Sequence, residues 1–307
     1  MKLRKTAVVA CAALSLFAAA ACGKDGSPDD KPKDNANPGS SDAPKTPAYT
    51  VNKDPKITGS PTFDRIKGKK ITIGTKADQP NLGFENPTTG ERTGFDIEIA
   101  KMIAADLGFS EKQIEWKTVP SESRETQIAS GGVDLYVGTY TINDERKKQV
   151  DFAGPYYIAG QDLLVKKDSD IKGPDDLKGK KVCSATGSTP LKRIKEKQYG
   201  VKEAKAQQGY QLCVQELTNG TVDAVTTDDT ILKGYAAQNP DQLRVVGKTF
   251  SEEPYGVGLK KGDDALRDAV NNAIEAHVKS GDWKAAYDAT LGQSGAAAPE
   301  PPAVDRY

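Results

Sequence analysis

The sequence predicts an α/β fold in two lobes, with the chain passing between them twice. Three observations lead there. Short apolar or alternating runs suited to strands take turns with stretches of helical spacing, the pattern of a largely parallel sheet flanked by helices. The 307 residues are enough for two ordinary domains. A strand at residues 162–166 leads away from the first set of elements, and a return begins near Glu252-Glu253-Pro254. The crossings are expected near residues 156–162 and 249–255, giving lobe one from 61–157 and 254–292 and lobe two from 158–253.

The first residues are a targeting segment rather than part of the fold. Lys2, Arg4 and Lys5 precede an apolar run over residues 6–20, too short to span a bilayer comfortably. It ends in Ala19-Ala20-Ala21-Cys22-Gly23, and a Cys directly after small residues resembles a lipobox. That resemblance implies a signal peptide over 1–21, diacylglycerol on the thiol of Cys22, and a chain anchored at the extracytoplasmic face of the cell membrane. Residues 22–60 are rich in Pro, Lys, Asp, Asn, Gly and Ser, with hardly an apolar side chain before Tyr49. Such a stretch cannot bury enough surface to offset its ordering entropy, so it is expected to be a disordered tether. A coil of roughly 35 residues has an end-to-end distance of about 30–35 Å.

In lobe one, residues 70–74 (KITIG) alternate as a strand. A polar loop with Pro80, Pro87 and Gly90 follows. Phe95, Ile99, Met102, Ile103 and Leu107 are spaced as a helix that Gly108 stops. A strand at 114–119 and a short helix at 126–129 lead to the apolar run Leu135-Tyr136-Val137, another strand. Asn143 then reads as an N-cap with Asp144 and Glu145 in the first turn. In lobe two, strands are expected at 162–166, 181–185, 224–227 and 245–246, with a helix at 212–217. The turn Thr186-Gly187-Ser188-Thr189-Pro190 opens onto a helix N-terminus, a place that suits an anion. The return strand covers 257–259. Leu266, Val270, Ile274 and Val278 form one stripe of a helix over 263–280. Residues 293–307, an Ala/Pro stretch, are expected to be a disordered tail.

Composition narrows the function. The 43 Lys and Arg balance 43 Asp and Glu, and no basic patch suggests nucleic acid. Three basic residues leave with the signal, so 40 then face 43 acidic ones, a net charge of about −3. The single His, His277, leaves no material for a His-based catalytic or metal cluster. Cys11 departs with the signal and Cys22 is lipidated. Cys183 and Cys213 remain as an even pair in an oxidising compartment, and a disulfide is expected. It would close a loop of about 31 residues and contribute on the order of 3–4 kcal/mol.

The chemistry concentrates in residues 134–157, DLYVGTYTINDERKKQVDFAGPYY. The end of the strand leaves free carbonyls, Thr141 offers a hydroxyl, and Arg146 can reach back toward them. Carbonyls suit an ammonium and a guanidinium fork suits a carboxylate, the two ends of an amino acid's backbone. The plain alternative is that Arg146 only balances Asp144 and Glu145 on a solvated helix. A resemblance decides between them. The run TINDERKKQVDFAGPYY resembles the signature of the family-3 solute-binding proteins, the amino-acid receptors of ABC importers. The resemblance continues through GFDIEIAKMIAADLG, VCSATGSTP, NGTVDAVTTDD and PYGVGLKKG, over roughly residues 63–292.

That resemblance implies a periplasmic-binding-protein-like clamshell with two crossover segments, closing on its ligand about a hinge. It implies a monomer that catalyses nothing, needs no cofactor or metal, and serves ABC permease subunits encoded as separate chains. By the same resemblance, Thr141 and Arg146 hold the α-carboxylate with backbone N–H groups near Gly187 and Ser188. The α-ammonium falls to the Thr139 carbonyl and Asp228, with Asp229 as the neighbouring alternative. Members that take neutral ligands wall the side-chain pocket with aromatic rings from two stretches. Here those stretches are Lys76-Ala77-Asp78-Gln79-Pro80 and Pro120-Ser121-Glu122-Ser123-Arg124, without rings. Lys76 and Arg124 resemble the basic residues of members that take acidic ligands, so L-glutamate is expected, with aspartate second. The competing reading pairs Arg124 with Glu122 or Glu125 and leaves Lys76 solvated. Two other functions share the fold: a ligand-sensing receptor, which would use the same pocket, and a cyclohexadienyl dehydratase-like lyase, which the lack of His near the cleft disfavours.

Overall fold

The computed structural model describes residues 45–307. The signal segment, the lipidation site at Cys22 and most of the tether lie outside the described residues. Two five-stranded sheets carry the fold. The first runs Ile114–Thr118, Ile71–Thr75, Leu135–Tyr136, Glu253–Lys260, Val150–Ala159. Its first three strands are parallel, and Glu253–Lys260 lies antiparallel to both its neighbours. The second runs Glu203–Gln207, Lys181–Ala185, Ala224–Asp228, Gln161–Lys166, Leu243–Val245, parallel for three strands and then antiparallel. The chain passes from first sheet to second at Gly160, and returns between Leu243–Val245 and Glu253–Lys260. The two crossing strands are themselves paired, Glu253 opposite Ala159. Two adjacent extended strands linking two sheets make a hinge.

The helix Phe95–Asp106 is buried almost all round, because the first sheet lies under it and the helices Asp264–Ser280 and Asp282–Ala289 lie over it. Gly94 sets its start: φ is 117°, and a Cβ there would stand 2.2 Å from the Leu82 carbonyl oxygen, so only glycine fits. Phe95 at its head packs edge-on against Trp283, Tyr157 and Tyr287, with ring centroids 5.4, 5.8 and 5.9 Å away. In lobe two, Leu163, Val165, Val182 and Ala224 share a core with Leu177 and Ile194. Cys183, in the strand Lys181–Ala185, is bonded to Cys213 in the helix Tyr210–Thr218, with Cα atoms 5.4 Å apart.

The ends of the chain differ from expectation. The tail is not loose. Tyr307 lies against both Lys147 Nζ and the Arg267 guanidinium, 3.8 and 4.5 Å from its ring centroid, and its hydroxyl accepts from the Phe152 N–H. The Asp305 N–H donates to the Gly154 carbonyl, and Arg306 pairs with Glu275 and Asp268. The tail thereby covers backbone groups of Val150–Ala159, the outer strand of the first sheet, an edge that would otherwise be unpaired. Residues 45–60 of the expected tether are also docked. Asn52 donates to the Ala105 carbonyl at 2.9 Å, Tyr49 donates to Glu98 at 3.0 Å, and the Tyr49 ring meets His277 edge-on. Composition misjudged the tail and residues 45–60, since a few polar and aromatic anchors hold them where a run of apolar residues was sought.

Candidate ligand-binding site

The site is built where strand ends of the two sheets meet. Asn143 caps the short helix Asp144–Lys147 by accepting from the Arg146 N–H at 3.0 Å. That cap fixes the turn from which Arg146 points inward. Its guanidinium donates to the Thr141 carbonyl at 2.7 Å and, across the cleft, to the Gly187 carbonyl at 3.3 Å. Glu125 Oε1 lies 3.2 Å from its Nε. Arg124 donates to the Ser121 carbonyl at 3.1 Å and also to Gly187 at 3.3 Å. Both guanidiniums lie on the Tyr140 ring, 4.3 Å (Arg124) and 4.9 Å (Arg146) from its centroid, and the Tyr140 hydroxyl donates to Glu125. Burial, with Arg124 alongside, lowers Arg146 to about 10.

Lys76 is buried and donates to Ser121 Oγ at 2.6 Å. Burial first, and the Arg124 charge second, bring its ammonium down to about 7. Glu125 pairs with Arg146, and among the described residues no carboxylate forms an ion pair with Lys76 or Arg124. Across the cleft, Asp228 ends its strand fully enclosed. Its Oδ2 accepts from the Tyr255 hydroxyl at 2.7 Å, while Oδ1 has no partner among the described residues. Burial, helped by the nearby charge of Glu253, pushes this carboxyl up to about 7. Thr139 holds a φ of 45°, unusual for a β-branched residue. Its N–H donates to Asp96 at 3.0 Å and its hydroxyl to Gln79 at 3.1 Å.

Of the residues singled out in the sequence, Arg124, Thr139, Thr141, Arg146, Ser188 and Asp228 line one enclosed cavity, with Ser121, Thr189, Pro190 and Tyr210. Lys76 stands behind that wall, one hydrogen bond away through Ser121. Gly187 presents its carbonyl to the two guanidiniums, and of the backbone N–H groups expected to meet an anion near Gly187 and Ser188, that of Ser188 is already engaged with the Ala185 carbonyl at 3.2 Å. Ser188 caps the helix Thr189–Ile194. The cavity measures about 10 Å³, room for about one water. The lobes are closed on each other: a Cβ at Gly187 would lie 2.6 Å from Glu122 Cα, and the Tyr210 N–H donates to Asp78 across the gap at 3.0 Å. The sequence alone points to no ligand role for Tyr140, Tyr210, Ser121 or Glu253. Tyr140 alone carried a local signal, since it sits between Thr139 and Thr141 in the stretch of interest.

Cations against one side, a buried acid with one free oxygen against the other, and two paired strands crossing between the sheets are the fold and site of a solute-binding protein. The chain belongs to the bacterial extracellular solute-binding proteins, family 3, whose model matches residues 71–293. It is 41% identical over 239 residues to the glutamate-binding protein GluB of Corynebacterium efficiens, spanning 74% of this chain and 81% of that one. It is 42% identical over 221 residues to the ABC transporter glutamine-binding protein GlnH of Bacillus subtilis, spanning 71% and 80%. Among solved structures, an ancestral arginine-binding protein bound to glutamine matches with a TM-score of 0.68 and 40% identity, over 73% of this chain and 98% of that one. These relatives are binding proteins, and this chain is a binding protein rather than an enzyme.

Proposed function

We propose that this protein captures an acidic amino acid, L-glutamate first and aspartate second, between its lobes and delivers it to the permease of an ABC importer. Arg146, Thr141 and the Ser188 turn receive the α-carboxylate, and Asp228 with the Thr139 carbonyl receives the α-ammonium. One observation carries the choice of an acidic side chain: Lys76 and Arg124 are both buried, and among the described residues neither forms an ion pair with a carboxylate. Unpaired buried charge is costly, and a ligand carboxylate would relieve it through charge-assisted hydrogen bonds. Ser121, bonded to Lys76, would pass on or yield that contact as the lobes re-close. The similarity to GluB supports this reading. The similarity to GlnH supports the amide in place of the acid, but an amide would leave both cations uncompensated. That GlnH belongs to an ABC transporter supports the delivery step.

Titration calorimetry with glutamate, aspartate and glutamine tests the choice. Glutamate should bind at least about 100-fold more tightly than glutamine, a gap of only about 2.7 kcal/mol. Equal affinities would refute the assignment of Lys76 and Arg124. We further propose that the mature chain is held at the extracytoplasmic face of the cell membrane through lipid on Cys22. Cys22→Ala should release it from membranes or leave it unprocessed, and normal processing with unchanged attachment would refute the anchor.

A further inference from the structure

The returning crossover strand begins at a carboxylate with no solvent exposure, Glu253. Its Oε1 accepts from Arg193 and from Ser251, both at 2.7 Å, and its Oε2 accepts from the Thr189 hydroxyl at 2.9 Å. The Thr141 hydroxyl also stabilises it. Burial drives this acid up, yet Ser251, Arg193 and Thr141 together hold it below the ordinary glutamate range. Thr141 and Thr189 line the enclosed cavity, one from each lobe. Arg193 reaches Gln161 Oε1 as well, at 2.5 Å, just past the first crossing. One buried carboxylate thus touches both crossings and both halves of the site.

We infer that Glu253 is a positioning residue for ligand binding: it holds Thr141 and Thr189 at the cleft and collects its full set of donors only when the lobes are closed. This rests on reading the cleft as an amino-acid site. The measured affinity of a clamshell includes the free energy of closing. A buried carboxylate on the crossing strand that gains the donors Thr189 and Arg193 on closing shifts that equilibrium toward the closed form. Its charge also stands near enough to Asp228 to raise that carboxyl, so it adds to the negative field where an ammonium would sit. These effects act on the backbone groups that all amino acids share. They do not act on the side-chain end at Lys76 and Arg124.

The experiment uses the mature chain with a spectroscopic label on each lobe, well below its melting temperature. Glu253→Gln should weaken glutamate, aspartate and glutamine by one common factor of about tenfold or more. It should also widen the interlobe distance in the absence of ligand. Thr189→Val should weaken binding less, and should cost nothing further when added to Glu253→Gln, because Thr189 acts through that carboxylate. A residue serving only stability would lower the melting temperature while leaving affinity and lobe distance unmoved. Wild-type affinity in Glu253→Gln, a loss confined to glutamate, or additive losses in the double variant would each overturn the inference. If Glu253→Gln does not fold, Arg193→Gln removes the same pair from its half-exposed side, and unchanged affinity there overturns it equally. Should the wild type bind none of the three amino acids, the amino-acid reading fails. The ligand-free lobe distance still decides the role of Glu253.

Discussion

The preference for an acid over its amide should depend on pH, and Lys76 sets how. In the opened cleft Lys76 regains water and its ordinary value of 10.5; closed and without an anion it falls to about 7. Closing over a neutral side chain therefore either traps an unpaired ammonium or expels its proton. The difference corresponds to roughly 5 kcal/mol as an upper bound. The sign follows from the lowered value: the penalty is complete below about pH 7, shrinks as pH rises, and is gone above the ordinary lysine value. Glutamine affinity should accordingly rise with pH, by up to about tenfold per unit, or about 15-fold from about pH 7 to about pH 8.5. Over the same window a glutamate carboxylate keeps the proton on Lys76, and its affinity should stay level. Calorimetry in two buffers of different ionisation enthalpy should show proton release with glutamine and none with glutamate. Lys76→Met should make glutamine binding independent of pH and should weaken glutamate. A level glutamine profile in the wild type, without proton release, would refute the placement of Lys76 at the side-chain end.

Arg146→Ala should weaken all amino acids together by about 100-fold or more, because the shared α-carboxylate loses its fork; calorimetry with glutamate and glutamine should give one common loss. Closing raises Asp228 from its ordinary 3.8 to about 7, so the cost of closing without an ammonium is complete above pH 7 and is lost as pH falls toward 4. Lobe-distance measurements on the ligand-free protein should therefore show more closed form in acid, a trend that Asp228→Asn should abolish. Deleting residues 296–307 should cost on the order of 2 kcal/mol, since the Tyr307 cation–π contacts and the edge cover vanish; scanning calorimetry should show the melting temperature down by about 5 °C. Replacing Cys183 and Cys213 together by Ser should cost about 2–4 kcal/mol in denaturant unfolding.

The sequence by itself determined what depends on neighbours along the chain. Strands such as Lys181–Ala185 and the helix Phe95–Asp106 follow from apolar periodicity, and the Arg146 turn follows from the Asn143 cap. The chemical character of the site was legible only through the resemblance of its motifs, because Arg146 beside Asp144 and Glu145, or the turn at Gly187, fits a plain solvated helix or an ordinary turn equally well when read alone. Tertiary structure decided what depends on partners far away. Glu203–Gln207 reads as polar and was missed, since it is an edge strand of the second sheet with no need for two apolar faces. The tail has too little apolar surface to hold itself, and it is ordered by Lys147, Arg267 and the open edge of Val150–Ala159, which sequence spacing cannot bring together. Tyr140 gains its place beneath two guanidiniums only when the strand end and the Arg124 helix converge. Glu253 stood in the sequence only as part of the Glu252-Glu253-Pro254 return. The fold places Thr189, Arg193 and Ser251 against it, because a carboxylate without water must find donors from whatever packs against it.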